Sequence, residues 1–132
     1  MDSLSQYLLN ELESKHTNTK LVGILNVTPD SFSDGGKYFE SQKAIEHAYK
    51  MAEYGADIID IGAESTRPFS KGVDAKEQIN RLKPVLTGLK DINIPLSIDT
   101  RSSEVADFAL NNGAKIINDV SGLDFDPGMV EA

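Results

Sequence analysis

The chain has 132 residues, about the size of one domain, and its 39% hydrophobic and 26% charged residues are typical of a globular protein with a buried core. Thirteen basic against 21 acidic residues give a net charge of −8, which disfavours nucleic acids and anionic membranes as partners. There is no apolar run near the roughly 18 residues of a membrane span and no recognisable secretory signal. The sequence contains no cysteine, which excludes disulfides and thiolate chemistry and fits a cytoplasmic location.

The first 19 residues are predicted to be a leader, and residues 20–132 to form the domain. Leu4, Leu8 and Leu12 recur at four-residue spacing. This spacing places them on one side of a short amphipathic helix. No chemistry is assigned to the leader.

Residues 21–36, LVGILNVTPDSFSDGG, begin as an apolar run and end as a polar loop. The apolar half is typical of a strand that is buried on both faces. Pro29 and the two glycines at the end predict a loop. Asn26 stands where the strand ends, and its amide needs hydrogen-bond partners there. The junction is therefore a candidate site, with an ordinary surface turn as the alternative.

Further strands and helices alternate after this loop. The predicted elements are a helix capped by Ser41 and stopped by Gly55, a strand at 57–61, a helix opened by Asp74 and Glu77 and kinked or split by Pro84, a strand at 95–99, a helix at 103–112 stopped by Gly113, and a strand at 115–120. Asp126 and Pro127 then predict the start of another helix. Strand-helix alternation with short links implies right-handed crossovers and a parallel sheet.

Two architectures suit such a sheet, the doubly wound fold and the (β/α)₈ barrel. No G-x-G-x-x-G follows a strand, which removes the usual dinucleotide fingerprint. Every strand instead ends in polar groups, as in a barrel whose catalytic residues come from many strand ends: Asn26, Asp60, Asp99, Asn118 and Asp119. The predicted fold class is therefore α/β, a parallel (β/α)₈ TIM barrel of which the first four βα units are present.

A half barrel has two unpaired strand edges and a bare inner face. The chain is therefore expected to be the N-terminal half of a larger protein.

The strand ends have chemistry of their own. Asp99 follows an apolar strand, and a ligand with adjacent N–H groups, such as an amino-pyrimidinone ring, would satisfy its carboxylate with two parallel hydrogen bonds. Asn118 can donate and accept, which suits a heterocycle. The alternative is that Asp99 caps the following helix or pairs with Arg101. The segment 66–68, Thr-Arg-Pro, offers a hydroxyl and a cation to an anion, or is a solvated surface loop.

Four blocks together carry a specific resemblance: LNVTPDSFSDGG at 25–36, GADIIDIGAESTRP at 55–68, SIDT at 97–100 and GAKIINDVSG at 113–122. In this order they resemble the dihydropteroate synthase family. The resemblance implies a barrel that condenses 7,8-dihydropterin-6-ylmethyl diphosphate with p-aminobenzoate, releasing pyrophosphate with the help of Mg²⁺. It also implies a step of folate biosynthesis, a sulfonamide target and a homodimer of the full-length protein.

The resemblance assigns roles to residues of the described motifs. It places Asp99 and Asn118 at the pterin ring, with Val120 as an apolar wall beside it. Asn26 is matched to the residue that contacts the Mg²⁺-diphosphate and is the one metal-binding residue expected in this chain.

The two motif loops are implied to bind the leaving group and to enclose the aminobenzoate. Asp34 belongs to the first loop, and Thr66, Arg67 and Pro68 belong to the second. Phe32 and Pro68 are matched to positions that line the aminobenzoate and sulfonamide pocket.

The resemblance also implies a dissociative reaction, with a cation forming on the pterin as the diphosphate leaves. Asp34 and Asp99 would favour this cation electrostatically, and Arg67 would bind the leaving group, so these three are the expected catalytic residues. Asp60 and Glu64 lie inside the motif without an assigned role.

Further family residues that bind pterin and anions belong to the second half of the barrel, so the chain alone is expected to be inactive. Two alternatives stay open. One is a pterin-binding methyltransferase domain, although the loops NVTPDSFSDGG and STRP handle a diphosphate that such an enzyme does not use. The other is a non-catalytic half barrel that binds another subunit through its open edges.

Overall fold

The protein is represented by a computed structural model, which describes residues 3–13, 19–28, 36–64 and 74–132. Helices and strands alternate along the chain. In order they are α1 (Ser3–Glu13), β1 (Val22–Asn26), α2 (Gly36–Glu53), β2 (Ile58–Gly62), α3 (Ala75–Gly88), β3 (Leu96–Asp99), α4 (Ser103–Asn111), β4 (Ile116–Asn118) and a terminal 3₁₀ helix (Pro127–Glu131). Within the described ranges, no helix is long and apolar enough to cross a membrane.

The strands form one parallel sheet in the order β1-β2-β3-β4. Each strand therefore pairs with the next strand along the chain. A doubly wound sheet would instead reverse its strand order at a switch point. The sheet has the order of one half of a (β/α)₈ barrel, which confirms the predicted architecture.

The hydrophobic core lies between one face of this sheet and helices α2, α3 and α4. Side chains alternate along each strand, so every second residue points to the helices. The strand residues that do so are at most 4% exposed: Leu25, Ile59, Ile61, Leu96 and Ile98. They pack with helix residues such as Ala48, Leu82, Val85 and Val105. Burying each large aliphatic side chain contributes about 1.5–3 kcal/mol, so this layer holds the fold together.

The opposite face of β1 is open in the described structure. Val22 is 53% exposed and Ile24 is 67% exposed. The prediction that β1 is buried on both faces is therefore wrong, because no element among the described residues covers this side. The exposure agrees with the bare inner face that the half barrel predicts.

Two helices depart from their predicted limits. α2 begins at Gly36, so Ser41 lies inside the helix and is not its N-cap. Good helix formers within residues 37–42 (Lys, Glu and Gln) favour this earlier start. α3 continues through Pro84 to Gly88, so the helix is not split. Packing of its apolar side outweighs the one backbone donor that proline removes.

The other predicted helix ends are confirmed. The carboxylate of Asp74 accepts a 2.8 Å hydrogen bond from the backbone N–H of Glu77 and caps α3. α4 begins at Ser103 as predicted, and its N-cap is Ser102, which the sequence had not indicated. Gly55 and Gly113, which follow α2 and α4, both have a φ of +105°, a conformation that favours glycine.

Asp126 joins the end of the chain to the start of α4. One of its carboxylate oxygens accepts from the backbone N–H of Ser103 at 2.7 Å, and the other accepts from that of Gly128 at 2.9 Å. The N-cap predicted at Asp126 is thus confirmed, although the helix that it opens is a short 3₁₀ helix. These hydrogen bonds, above all the one from Ser103, lower the pKa of Asp126.

Replacing Asp126 by asparagine is expected to reduce stability in a pH-dependent way. Because the pKa of Asp126 is lower in the folded than in the unfolded chain, the ionised carboxylate stabilises the fold above the unfolded value of about 3.9, and this contribution is lost as the pH falls through the folded value. Thermal melts should show Asp126→Asn below wild type at pH 7 and equal to it in strong acid.

The exposed Asp107 on α4 provides a matched control. Asp107→Asn removes the same charge without removing a cap, so its melting temperature should follow wild type at both pH values. Equal melting temperatures of Asp126→Asn and wild type at pH 7 would contradict the role of the cap.

Candidate functional site

A row of four residues crosses the sheet at the carboxyl ends of the strands. In the parallel register, Asn26 lies beside Gly62, Gly62 beside Asp99, and Asp99 beside Asn118. A Cβ atom placed on Gly62 would lie 3.7 Å from Oδ2 of Asp99 and 3.8 Å from Oδ1 of Asn26. Because Gly62 has no side chain, there is open space between these oxygen atoms of Asp99 and Asn26, on the face of the sheet away from the helices.

Asp60 lies one layer deeper on the same face, beside Ser97 of β3. It is only 9% exposed, and its Oδ2 accepts a 3.2 Å hydrogen bond from the amide Nδ2 of Asn118. Its Oδ1 is buried and has no hydrogen-bond partner among the described residues. Leaving a buried oxygen without a donor is costly, so this atom is available to a ligand that donates a hydrogen bond.

The sequence placed Asp60 at a strand end and left it without a role. The structure places it inside the candidate site and joins it to Asn118. A signal was present, because Asp60 precedes Gly62 by two residues, and alternate residues of a strand share a face.

Asp99 neither caps the following helix nor pairs with Arg101, the two structural roles that the sequence left open. Ser102 caps α4, and the guanidinium of Arg101 pairs with Glu64 at 3.3 Å. No described residue donates a hydrogen bond to the carboxylate of Asp99 or forms an ion pair with it. Its half-buried oxygens are therefore free to accept from a ligand.

The electrostatics of the row agree with a functional role for Asp99. Burial, and then the nearby carboxylates of Asp60, Glu64 and Asp119, raise the pKa of Asp99. A carboxyl group whose pKa is shifted by burial and by neighbouring charges is a functional-site candidate. Such a field favours a ligand with N–H donors or positive charge.

Unlike Asp99, Asp119 uses its carboxylate for hydrogen bonds within the protein. Its Oδ1 accepts from both the backbone N–H and the hydroxyl of Ser121, at 2.8 and 2.7 Å, and its Oδ2 accepts from the N–H of Leu123 at 3.2 Å. The hydroxyl of Ser121 is the main cause that lowers the pKa of Asp119. Asp119 thus folds the segment after β4. Val120 in this segment is 65% exposed, and its role beside the pterin ring stays a prediction.

Glu64, two residues after Gly62, belongs to a largely buried polar network. Besides its ion pair with Arg101, it accepts from the amide of Gln78 at 3.5 Å. Gln78 in turn accepts from the hydroxyl of Thr100 at 3.4 Å, and both residues are 3% exposed. Gln78 was not predictable from the sequence, because nothing in the pattern distinguishes a buried glutamine on a helix from one that faces solvent.

The structure brings together three of the predicted site residues, Asn26, Asp99 and Asn118. Five others lie outside the described residues, so their roles stay predictions: Phe32, Asp34, Thr66, Arg67 and Pro68. Among the described residues, no group of three or more His, Cys, Asp or Glu could hold a metal ion.

Several known proteins are similar to this chain. It is 45% identical to the dihydropteroate synthase of Bacillus subtilis over 136 residues, which cover 96% of the chain and 48% of that protein. It is 52% identical to a probable bifunctional folylpolyglutamate synthase/dihydropteroate synthase of Halobacterium salinarum, covering 84% of the chain and 14% of that protein.

Solved structures agree with these relatives. The dihydropteroate synthase of Clostridium difficile, crystallised in the presence of pteroic acid, superimposes with a TM-score of 0.79 at 52% identity and covers 84% of this chain. The enzyme of Xanthomonas albilineans with 4-aminobenzoic acid has a TM-score of 0.78 at 43% identity and covers 86% of the chain. The chain spans 43% and 42% of these two structures, less than half of each. The family model described as pterin binding enzyme matches residues 22–132, and the chain therefore belongs to the pterin binding enzyme family.

Proposed function

We propose that the chain supplies the pterin-binding half of a dihydropteroate synthase, a transferase that condenses 7,8-dihydropterin-6-ylmethyl diphosphate with p-aminobenzoate. The observation that carries the proposal is the arrangement of Asp99 and Asn118 above the unpartnered oxygen of Asp60, at the carboxyl edge of the sheet. The 45% identity to the Bacillus subtilis enzyme supports it.

Pterin recognition follows from the hydrogen-bonding groups in the row. The ionised carboxylate of Asp99 accepts from two adjacent N–H groups of the amino-pyrimidinone part of the ring. Asn118 donates one amide hydrogen to Asp60, which orients its amide and leaves the other N–H and the oxygen for the ring. The Oδ1 of Asp60 accepts a further ligand hydrogen, which removes the cost of its unsatisfied burial.

The same carboxylates assist a dissociative reaction. As the C–O bond to the diphosphate breaks, positive charge spreads over the pterin. Asp60 and Asp99 then stabilise this charge more than they stabilise the neutral ground state. The amine of p-aminobenzoate attacks the cation and forms the C–N bond, and its surplus proton passes to water or to the released diphosphate, so that a strong base is not needed. Burial and the neighbouring carboxylates raise the pKa of Asp99 in the free protein, and the negative charge of the same carboxylates is thus useful in the transition state.

Mg²⁺ is the proposed cofactor, and Asn26 is the residue of this chain that would contact it. Mg²⁺ keeps several waters and is usually bound by substrate phosphates and few protein groups, most often one or two carboxylates. The oxygen of Asn26, which faces the open space above Gly62, fits such a partial shell. When bound, the metal would neutralise charge on the diphosphate.

The second substrate and the inhibitor are proposed from the relatives. The Xanthomonas albilineans enzyme was solved with 4-aminobenzoic acid, and the Yersinia pestis enzyme with a sulfonamide drug. We expect the loops that contain Phe32 and Arg67 to contribute the corresponding pocket here. A homodimer of the full-length protein and a cytoplasmic location are further parts of the proposal.

The two alternatives make different predictions for binding. A pterin-binding methyltransferase would prefer methyltetrahydrofolate over the pterin diphosphate in a competition assay. A non-catalytic half barrel would form a defined heteromer on sizing chromatography and bind no pterin. The relatives named as dihydropteroate synthases favour the synthase over both.

Asp99→Asn is expected to weaken pterin binding while stabilising the free protein. Loss of a hydrogen bond to a charged group costs about 1.5–3 kcal/mol, so the Kd should rise roughly 10- to 150-fold. Since the fold disfavours the ionised form of Asp99, the neutral amide should also raise the melting temperature at pH 7. Calorimetry with 6-hydroxymethylpterin monophosphate, the ligand of the Anaplasma phagocytophilum relative, and thermal melts measure the two effects.

A matched control for this variant is Asp91→Asn, at an exposed turn after α3. It removes one negative charge far from the row and should leave the Kd unchanged. If Asp99→Asn bound the pterin as tightly as Asp91→Asn does, Asp99 would not be the pterin carboxylate.

The polypeptide of residues 1–132, purified alone, is expected to show no condensation activity. Among the described residues, no strand pairs with the outer edge of β1 or of β4, and the exposed side chains of Val22 and Ile24 agree with a barrel that these four strands do not close. Turnover can be measured as pterin-dependent release of pyrophosphate. A rate comparable with that of a complete synthase would show that four βα units are sufficient.

A further inference from the structure

Arg101 connects three segments at the carboxyl edge of the sheet, and the proposed function gives it no role. It lies two residues after Asp99. Its Nη2 is 3.3 Å from Oε1 of Glu64, in the segment after β2, and its Cζ is 4.1 Å from the centroid of the Phe125 ring, in the segment after β4. One side chain thus contacts both neighbouring segments of the sheet edge.

In the ion pair with Glu64, the carboxylate is largely buried and the guanidinium is partly exposed to solvent. The side chain of Glu64 is 13% exposed and that of Arg101 is 40% exposed. The charge of Glu64 is one of those that act on Asp99. Because Arg101 lies beside Glu64, it compensates a negative charge next to the pterin carboxylate and fixes the position of that charge.

The contact with Phe125 acts on the segment that follows Asn118. Asp119 and Ser121 fold this segment, and the hydroxyl of Ser121 accepts from the N–H of Phe125 at 3.1 Å. A guanidinium stacked on an aromatic ring is attracted by its π electrons. Stacking therefore holds the folded segment, which begins directly after Asn118, against the segment that carries Asp99.

We propose that Arg101 is a positioning residue for pterin recognition, which holds the carboxylate of Glu64 and the segment after β4 so that Asp99 and Asn118 face the ring together. The inference rests on the proposed function, since it concerns the affinity of the same site. Arg101 acts through Glu64 and Phe125 and is not a catalytic residue. Its loss should therefore affect the binding of the pterin more than the rate of the chemical step.

The test is Arg101→Gln in the full-length protein that carries residues 1–132. From the typical worth of a partly exposed ion pair and a cation–π contact, the Kd for 6-hydroxymethylpterin monophosphate should rise roughly threefold to tenfold. The KM for the pterin diphosphate should rise by a similar factor, while kcat stays within about twofold. A fall in kcat with an unchanged KM would overturn the proposal.

Lys90→Gln is the matched control. It removes one exposed positive charge after α3, far from the carboxyl edge, and should bind the pterin like wild type. Equal Kd values for Arg101→Gln and Lys90→Gln would also overturn the proposal.

A double-mutant cycle with Phe125→Ala tests the mechanism. The two substitutions break the same stacking contact, so their effects on the Kd should be less than additive. Full additivity would exclude the connection through Phe125. Arg101→Lys keeps the cation without the planar stack and should have an intermediate Kd, and it serves with Phe125→Ala if Arg101→Gln does not fold.

The experiment separates this inference from the proposed function. If wild-type protein binds no pterin, the proposed function fails. If wild-type protein binds and turns over the pterin while Arg101→Gln behaves like wild type, only the role of Arg101 fails.

Discussion

The register of β2, β3 and β4 is the constraint on which the candidate site depends. It places Gly62, Asp99 and Asn118 in one row and Asp60 one layer below them. A shift of one residue in any strand would turn its polar side chain into the apolar layer beneath the helices. The buried residues Ile61 and Ile98, which point to that layer, prevent such a shift. The core therefore positions the site, although it contributes no atom to it.

The two faces of the sheet have separate tasks. The face packed against the helices contains aliphatic side chains and supplies the stability of the fold. The other face collects Asp60 and Asp99, whose proximity is unfavourable in the free protein. Burial of Asp60 with one unpartnered oxygen adds to this cost. Burial of the aliphatic side chains on the face packed against the helices offsets this electrostatic cost.

Sequence reasoning predicted the architecture because each level of the pattern agreed with the others. The buried strands, the caps at Asp74 and Asp126 and the glycines after α2 and α4 all depend on local chemistry. It was wrong about Ser41, since a serine can occur inside a helix as well as at its start. It also assigned burial to both faces of β1, because an apolar run does not reveal whether anything covers the second face.

A site residue could be predicted from the sequence only where its side-chain chemistry and its position at a strand end were sufficient to indicate its role. A carboxylate after an apolar strand identifies Asp99, whereas the contribution of Arg101 depends on Glu64 and Phe125, which are 37 and 24 residues away along the chain. Such contacts arise only when parallel strands bring their carboxyl ends to one edge. Because residues that follow different strands lie close together at the carboxyl edge of the sheet, the single guanidinium of Arg101 contacts both Glu64 and Phe125. This proximity also explains why an acidic site contains an arginine: the guanidinium of Arg101 lies beside the carboxylate of Glu64 and offsets a negative charge that acts on Asp99.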